Sequence, residues 1–457
     1  MLSPADIGAA AAVLLVLTML EMGTDCVAEE VLITADGDLD VLQATVHGMR
    51  MLRSCLLAMV GAAAGLVAAA VHPSAAAVLT WPVWTVGVLL LAVRALANAD
   101  VERQVRCGRY RSYVILQVVP QVAAMAAAFP LAGRLGGAIA VLIGALTQSA
   151  VTVALSHICA ERPYRLALDR GSMRRVYSFG VPVLFNGLLL FGLMHGDRVL
   201  VGTLFGTATL GIYTVAAGLT LVPTLVLARV NAALLLPALS RAKSEGPAQF
   251  KRAARESLLR NGVVVGAVTF GWALAGDAVV GVVYGQKYAD AGHLVPMLAL
   301  VQSMFVLRDL HGIVAMAAGD ARHPLGGNGV RVAGLAMMVP AAWLTHGAAM
   351  AIGAALGAEA VAYLVSGLRL GRRFGVAAGA WGWPLGMVVA AWWVGKAIGW
   401  ACTAAGASTL VVLGVLTLGA ILSYGYSQYV ARWNVENEDQ GRSEDRTGWS
   451  AQAEVVS

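Results

Sequence analysis

The chain has 457 residues, of which 59% are hydrophobic and 13% charged, with 52 glycines and a formal net charge of +6. Soluble domains carry about 25% charged residues, and so little polar surface cannot cover so much apolar side chain. With every loop too short for an independent domain of ~50 residues, the composition excludes a soluble catalytic domain, a secreted disulfide scaffold and a nucleic-acid binder, and it describes a polytopic membrane protein.

Apolar blocks recur at the length a helix needs to cross the ~30 Å hydrocarbon layer. Within about three residues they fall at 5–25, 51–71, 75–97, 112–132, 136–158, 176–197, 207–236, 260–284, 293–318, 327–345, 347–368, 378–399 and 404–428. The expected fold class is therefore all-α, a polytopic membrane protein of about 13 transmembrane helices. The blocks divide into an N-terminal lobe of five helices over 1–160, a C-terminal lobe of six over 161–373, and two additional helices over 374–432. A polar tail at 433–457, with Glu436, Glu438, Asp439, Glu444 and Asp445, reads as disordered.

The basic residues sort the loops. Arg94, Arg103, Arg106, Arg109 and Arg111 share one connection; two helices on, Arg162, Arg165, Arg170, Arg174 and Arg175 share the next; two further on come Arg241, Lys243, Lys251, Arg252, Arg255 and Arg260. The alternate connections hold only Arg134, Arg198, Lys287 and Lys396. This is the positive-inside pattern. It places the C-terminus in the cytoplasm and residues 1–4 outside, and it assigns Arg322 and Arg331 to a cytoplasmic connection.

Charges within apolar helices need a partner, a wet cavity or a reach to the interface. In chain order, Thr18, Glu21 and Asp25 share the inner end of the first helix, where Arg50 or Arg53 is the expected partner and a gate the alternative. Asp36-Gly-Asp38-Leu-Asp40 imitates a metal loop, but Val41 stands where glycine is required and His47 where glutamate is. It reads as a solvated acidic loop. Pro182, Asn186 and Asp197 share one helix face, with Arg198 beside them. Tyr213, Thr220, Thr224 and Asn231 form a stripe that either packs on another helix or lines a lumen. Arg229 lies opposite that stripe and either snorkels to the headgroups or meets an anion.

Further on, Gln302 and Asp309 share a face with Arg308 rotated by about 100°, so one of the two charges should meet a lumen or an opposite charge. Glu359, Tyr363 and Ser366 form another face, in which a protonated structural Glu359 is the bland reading. Gly61–Gly65, Gly262–Gly266 and Gly353–Gly357 are small-residue spacings suited to close helix packing. No HExxH, GxSxG, Walker or CxxC motif is present, and no metal or cofactor is expected.

The chain also repeats itself. Leu2-Ser-Pro-Ala-Asp-Ile-Gly8 and Leu204-Phe-Gly-Thr-Ala-Thr-Leu-Gly211 each precede an apolar helix, and both run from outside to inside, a parallel repeat. The second copy follows a helix at 176–197 and the first follows none, so the expectation is either an asymmetric fold or a first helix missing ahead of Met1.

The run Phe179-Gly-Val-Pro182, Asn186, Asp197-Arg198, Gly202, Gly206, Leu210-Gly211, Tyr213, Ala216, Pro237 and Ser240-Arg241 resembles the middle of the polysaccharide flippase family. These are the O-antigen and exopolysaccharide lipid-carrier transporters of the multidrug/oligosaccharidyl-lipid/polysaccharide superfamily. Tyr284-Gly285, Tyr288, Ala291 and Ala318-Gly319 continue the pattern. The resemblance implies fourteen helices in two six-helix lobes plus two, which matches the count here less the first helix.

It further implies an alternating-access flippase, not an enzyme and without cofactor, that moves a polyprenyl-pyrophosphate-linked oligosaccharide from the cytoplasmic to the outer leaflet. The place implied is the bacterial inner (plasma) membrane, and the process is lipopolysaccharide or exopolysaccharide export. The partners implied are the lipid-linked oligosaccharide and membrane lipids, with no nucleic acid; a polysaccharide polymerase in the same membrane is a further partner it allows. On this reading Arg308, Arg229, Arg198 and Asn186 are the substrate-binding candidates, and Asp309, Glu359 and Asp197 the candidates for ion coupling. A lipid II flippase or multidrug cation antiporter of the same superfamily is the alternative. A membrane-embedded polymerase or acyltransferase, with His293 as its outer-side candidate, ranks below both.

Overall fold

The first helix starts where its residues require it to. In the computed structural model the Asp6 N–H donates to Ser3 Oγ at 3.2 Å and the Ser3 N–H donates back to Asp6 Oδ2 at 3.0 Å. This is a capping box with Pro4 in the first turn, where its missing N–H costs nothing. The opening motif Leu2-Ser-Pro-Ala-Asp is thus a helix-start signal. The structure describes residues 2–24, 32, 38–71, 81–107, 109–135, 137–320, 323–345 and 348–404. The expected span 404–428 and the tail 433–457 lie outside the described residues, as do Asp25, Asp36 and Gly37.

Among the described residues the chain is helical, with no strand. The helices are α1 (Pro4–Met22), α2 (Leu39–Val71), α3 (Trp81–Ala95), α4 (Asp100–Arg106), α5 (Arg111–Arg134) and α6 (Gly137–Ile158). They continue with α7 (Arg170–Glu245), α8 (Pro247–Tyr284), α9 (Ala289–Ala317), α10 (His323–Thr345), α11 (Ala348–Phe374) and α12 (Ala378–Ala404). Each expected span within the described residues coincides with one of these. Among the described residues eight helices are long and apolar enough to cross a membrane, or nine when α3 and α4, bent by 50°, count as one span.

Two expected spans, 176–197 and 207–236, lie in α7, which is broken at Gly206 (φ 82°, ψ 178°). A side chain at that positive φ would be strained, so glycine sets the break. The two halves fold back on each other there. Residues 197 and 213 would lie about 24 Å apart along a continuous helix, yet the Tyr213 hydroxyl reaches Asp197 Oδ2 at 2.5 Å.

The described chain forms two compact units. One comprises Met1–Leu219, Tyr284–Leu294 and Leu325–Ala362, and the other Thr220–Val283, Val295–Pro324 and Tyr363–Ser457. The core of the first joins Ala10, Val13 and Leu17 of α1 to Leu57 of α2, Leu90 and Leu91 of α3 and Leu142 of α6. In the same unit the two repeat motifs meet each other. A Cβ on Gly8 would lie 1.7 Å from the Thr207 carbonyl oxygen, and one on Gly211 would lie 1.8 Å from that of Pro4. The contact is reciprocal, as in a two-fold interface.

In the second unit α8 packs on α12. Gly262 faces Pro384, and Gly395 and Gly399 lie on the Phe270 and Leu274 carbonyls. The expected small-residue contact therefore holds for Gly262. A Cβ at Gly353 or Gly357, by contrast, would meet no described atom within 4 Å. Spacing alone marks a face that can be approached closely, not one that is.

Candidate functional site

Polar groups inside the apolar helices gather in two places, one in each unit. In the first unit the Gly206 break brings Asp197, on the first half of α7, against Tyr213 on the second. Tyr213 is buried and donates to Asp197 Oδ2 at 2.5 Å, while Asp197 Oδ1 accepts from the Arg198 N–H at 2.8 Å. The Arg198 guanidinium turns to His195, with Nη1 and Nδ1 3.4 Å apart. Tyr213 also lies within electrostatic reach of Arg331 on α10.

Arg331 in turn pairs with Glu359 of α11, Nε to Oε2 at 3.4 Å; the two side chains are 17% and 1% exposed. The pair is possible because α10 and α11 approach closely one turn away, where a Cβ on Gly334 would fall 1.9 Å from the Ala358 Cβ. Glu359 is therefore a partner of Arg331 across two helices. Arg331, counted in the sequence with a cytoplasmic connection, sits inside α10 and belongs to the site. Its position four residues into the expected span 327–345 was the available signal.

In the second unit Arg308 of α9 is 5% exposed and its guanidinium lies 5.5 Å from the centre of the Phe305 ring. Asp309 beside it is half-buried. One turn earlier Ser303 shares a 2.6 Å hydrogen bond with Thr269 of α8. Arg229 of α7 is exposed, while Thr220, Thr224 and Asn231 on the opposite face are buried with Tyr213. Asn186 lies on the first half of α7, and its side chain is outside what the structure describes. Of the expected site residues, Asp197 is held by Tyr213 and by the Arg198 backbone N–H, with the Arg198 guanidinium turned to His195 instead, and Glu359 pairs with Arg331, which the sequence does not single out.

A third group of polar side chains fell in what the sequence presents as solvated loops. Asp100, at the start of α4, accepts from the Glu161 N–H at 2.8 Å, from Gln104 at 3.2 Å and from Arg162 at 3.1 Å. Burial alone would push its carboxyl up. These hydrogen bonds outweigh that and hold it below its ordinary range. Arg103 donates to Asp40 at 2.6 Å and Gln43 at 2.9 Å, holding the Asp40 carboxyl low as well.

His47 accepts from the Ala99 N–H at 3.0 Å through Nε2, so its Nδ1 carries the proton and donates to the Arg165 carbonyl at 3.1 Å. The ring stacks on Tyr164 at 4.2 Å. Glu21 pairs with Arg94, two helices on, and Arg50 donates to the Arg94 carbonyl at 3.3 Å. Among the described residues no group of three or more His, Cys, Asp or Glu side chains is placed to hold a metal.

Long apolar helices, buried charge pairs and a basic, tightly hydrogen-bonded rim define a multi-pass membrane protein with polar groups in its interior. The chain belongs to the family described as polysaccharide biosynthesis protein, which it matches over residues 1–293. It is 27% identical over 157 residues to the teichuronic acid biosynthesis protein TuaB of Bacillus subtilis. That match spans 34% of this chain and 32% of TuaB, about a third of the relative's length. The fold is similar to that of the lipid II flippase MurJ in an inward closed conformation, with a TM-score of 0.63, 11% identity and 94% of each chain covered. It is also similar to an inward-facing multidrug resistance MATE family transporter, with a TM-score of 0.56, 14% identity and 82% and 93% of the two chains covered.

Proposed function

We propose that this chain is an alternating-access flippase that carries a polyprenyl-pyrophosphate-linked oligosaccharide from the cytoplasmic to the outer leaflet for polysaccharide export. The observation that carries the reading is a pair of arginines held inside apolar helices, Arg308 and Arg331, in a chain of the polysaccharide biosynthesis family. A diphosphate cannot cross hydrocarbon unaided, and a guanidinium matches its oxygens bidentately. In the first unit Arg331, Arg198 and Asn186, and in the second Arg308, are each a candidate contact for the diphosphate or the sugar. Arg229, exposed on α7, meets the lipid-facing part of the cargo or the headgroups. Asp309, Glu359 and Asp197 couple movement to an ion gradient.

The lobes are residues 1–160 and 161–373, with the arginine-rich connections in the cytoplasm of a bacterial cell and the chain in its inner membrane. A lipid II cargo is the second reading, favoured by the similarity of fold to a lipid II flippase across 94% of each chain.

Complementation tests this. Expression in a strain lacking its polysaccharide flippase should restore surface polysaccharide, and Arg308→Ala or Arg331→Ala should reduce it by about tenfold or more. Restored growth of a lipid II flippase mutant without restored polysaccharide would support the second reading. Failure of both, with the protein present in the membrane, would reject transport of either lipid.

A further inference from the structure

In the second unit, α9 carries a histidine that the site does not use. His311 is 0% exposed, and neither Nδ1 nor Nε2 has a hydrogen-bond partner among the described residues. Packing does not account for it, because phenylalanine would fill the same space without leaving a buried donor and a buried acceptor unmet. Arg308 lies one turn back on the same helix. From α11 the Tyr363 ring packs on the imidazole with centroids 4.6 Å apart, and its hydroxyl is turned to the Trp381 carbonyl of α12.

From α10 comes His323, which interacts electrostatically with His311. Its Nε2 lies 2.9 Å from Ser366 Oγ of α11. A close crossing fixes this arrangement, since a Cβ on Gly312 would lie 3.3 Å from Pro324 Cγ. His323 is in turn within electrostatic reach of Asp320, Arg369 and Arg373. Asp320 and Arg373 pair with each other, and the Arg373 side chain is 66% exposed. The crossing thus sets His323 between an exposed ion pair and the sealed His311, with no hydrogen bond to His311 among the described residues.

We propose that His311 is a proton-binding site, loaded from the Asp320–Arg373 surface through His323 and coupled to the occupancy of Arg308 by a lipid diphosphate. The chemistry is the formation of one N–H bond: a solvent proton passes by way of His323 to the unprotonated ring nitrogen of His311, leaving an imidazolium. A guanidinium one turn away opposes that second positive charge, and an anion on the guanidinium removes the opposition. Proton and anion then each strengthen the binding of the other. The anion half of the proposal rests on the transport reading; the proton site stands on the geometry of α9, α10 and α11.

The test uses the full chain in lipid nanodiscs, with histidine ring nitrogens labelled for NMR and undecaprenyl diphosphate as the probe. His311→Phe keeps a ring on Tyr363 and removes both orphaned nitrogens, and with His311→Gln it assigns the signal. The expected result is an imidazole that is neutral at neutral pH, becomes imidazolium as the pH falls, and does so at higher pH when the probe is bound. His311→Phe should melt no lower than wild type and should abolish proton uptake on probe binding.

A His311 signal that stays neutral throughout overturns the proton site, as does a His311→Phe variant that cannot fold, because the ring nitrogens would then be structural. A signal that titrates but ignores the probe rejects the anion site at Arg308 and the transport reading built on it, while confirming the proton site.

Discussion

Arg331 and Glu359 decide whether the interior of the first unit tolerates charge at all. An ion inside a bilayer protein needs a partner, and this pair is held by two helices rather than by one flexible loop. Removing one member leaves the other buried without its counter-charge, which costs about 3–5 kcal/mol, whereas replacing both with apolar side chains of similar volume is often close to neutral. Glu359→Ala and Arg331→Ala should therefore each destabilise the protein by about 3 kcal/mol, and Arg331→Met with Glu359→Leu by clearly less than the sum of the two. Unfolding in detergent reads the difference; single-mutant losses that simply add would show that the pair carries no coupling. Transport should fall in the double variant as well, although its fold is restored, because the guanidinium is the group proposed to meet the diphosphate. Stability and activity then separate at one pair of residues.

Between elements, the strongest constraint is the crossing of α1 with the second half of α7. Gly8 and Gly211 each bring the backbone of the opposite helix closer than any side chain allows. Alanine at either position must push the helices apart, and overpacking of this kind costs about 1–3 kcal/mol. Because the contact is reciprocal, Gly8→Ala and Gly211→Ala should lower the melting temperature by similar amounts. Gly353→Ala, which meets no described atom within 4 Å, should be neutral or raise stability by up to about 1 kcal/mol through helix propensity. A Gly353 variant as damaged as the other two would contradict the packing described here. The sequence displays both motifs and their spacing of half a chain, so the repeat is legible. That the copies touch each other is not, since a small-residue pattern describes one helix face and carries no information about its partner. Gly395 and Gly399, with the same spacing as the patterns singled out in the sequence, make the tighter contact in the second unit.

Across the whole molecule, the fold class is readable because apolar blocks and alternating arginines are local properties that the membrane imposes on every crossing. The site is readable only in part. Arg308, Asp309, Asp197 and Glu359 stand out as charges in apolar helices, whereas Arg331 is absorbed into the tally of loop charges. Asp100, Arg103 and His47 look like solvated loop residues until partners 50 to 120 positions away enclose them, and periodicity cannot show such pairings. Asp100 links that rim to pH. Burial raises its carboxyl, but the Glu161 N–H, Gln104 and Arg162 outweigh it, and the folded-state value lies below the ordinary 3.8. A lowered value means that the carboxylate contributes stability at every pH above about 3.8 and loses it as the pH falls through the folded value. Asp40, held low by Arg103, and Glu161, held low by Arg109, act in the same direction. The melting temperature in nanodiscs should therefore be insensitive to these groups at neutral pH and fall steeply below about pH 4. Asp100→Asn, which removes the carboxylate that accepts from the Glu161 N–H, Gln104 and Arg162, should cost about 1–3 kcal/mol at neutral pH and flatten the acid slope. A variant whose curve runs parallel to wild type through the acid range would show that Asp100 takes up its proton at the same pH in the folded and unfolded chain and that the rim draws its stability from the backbone contacts of His47 instead.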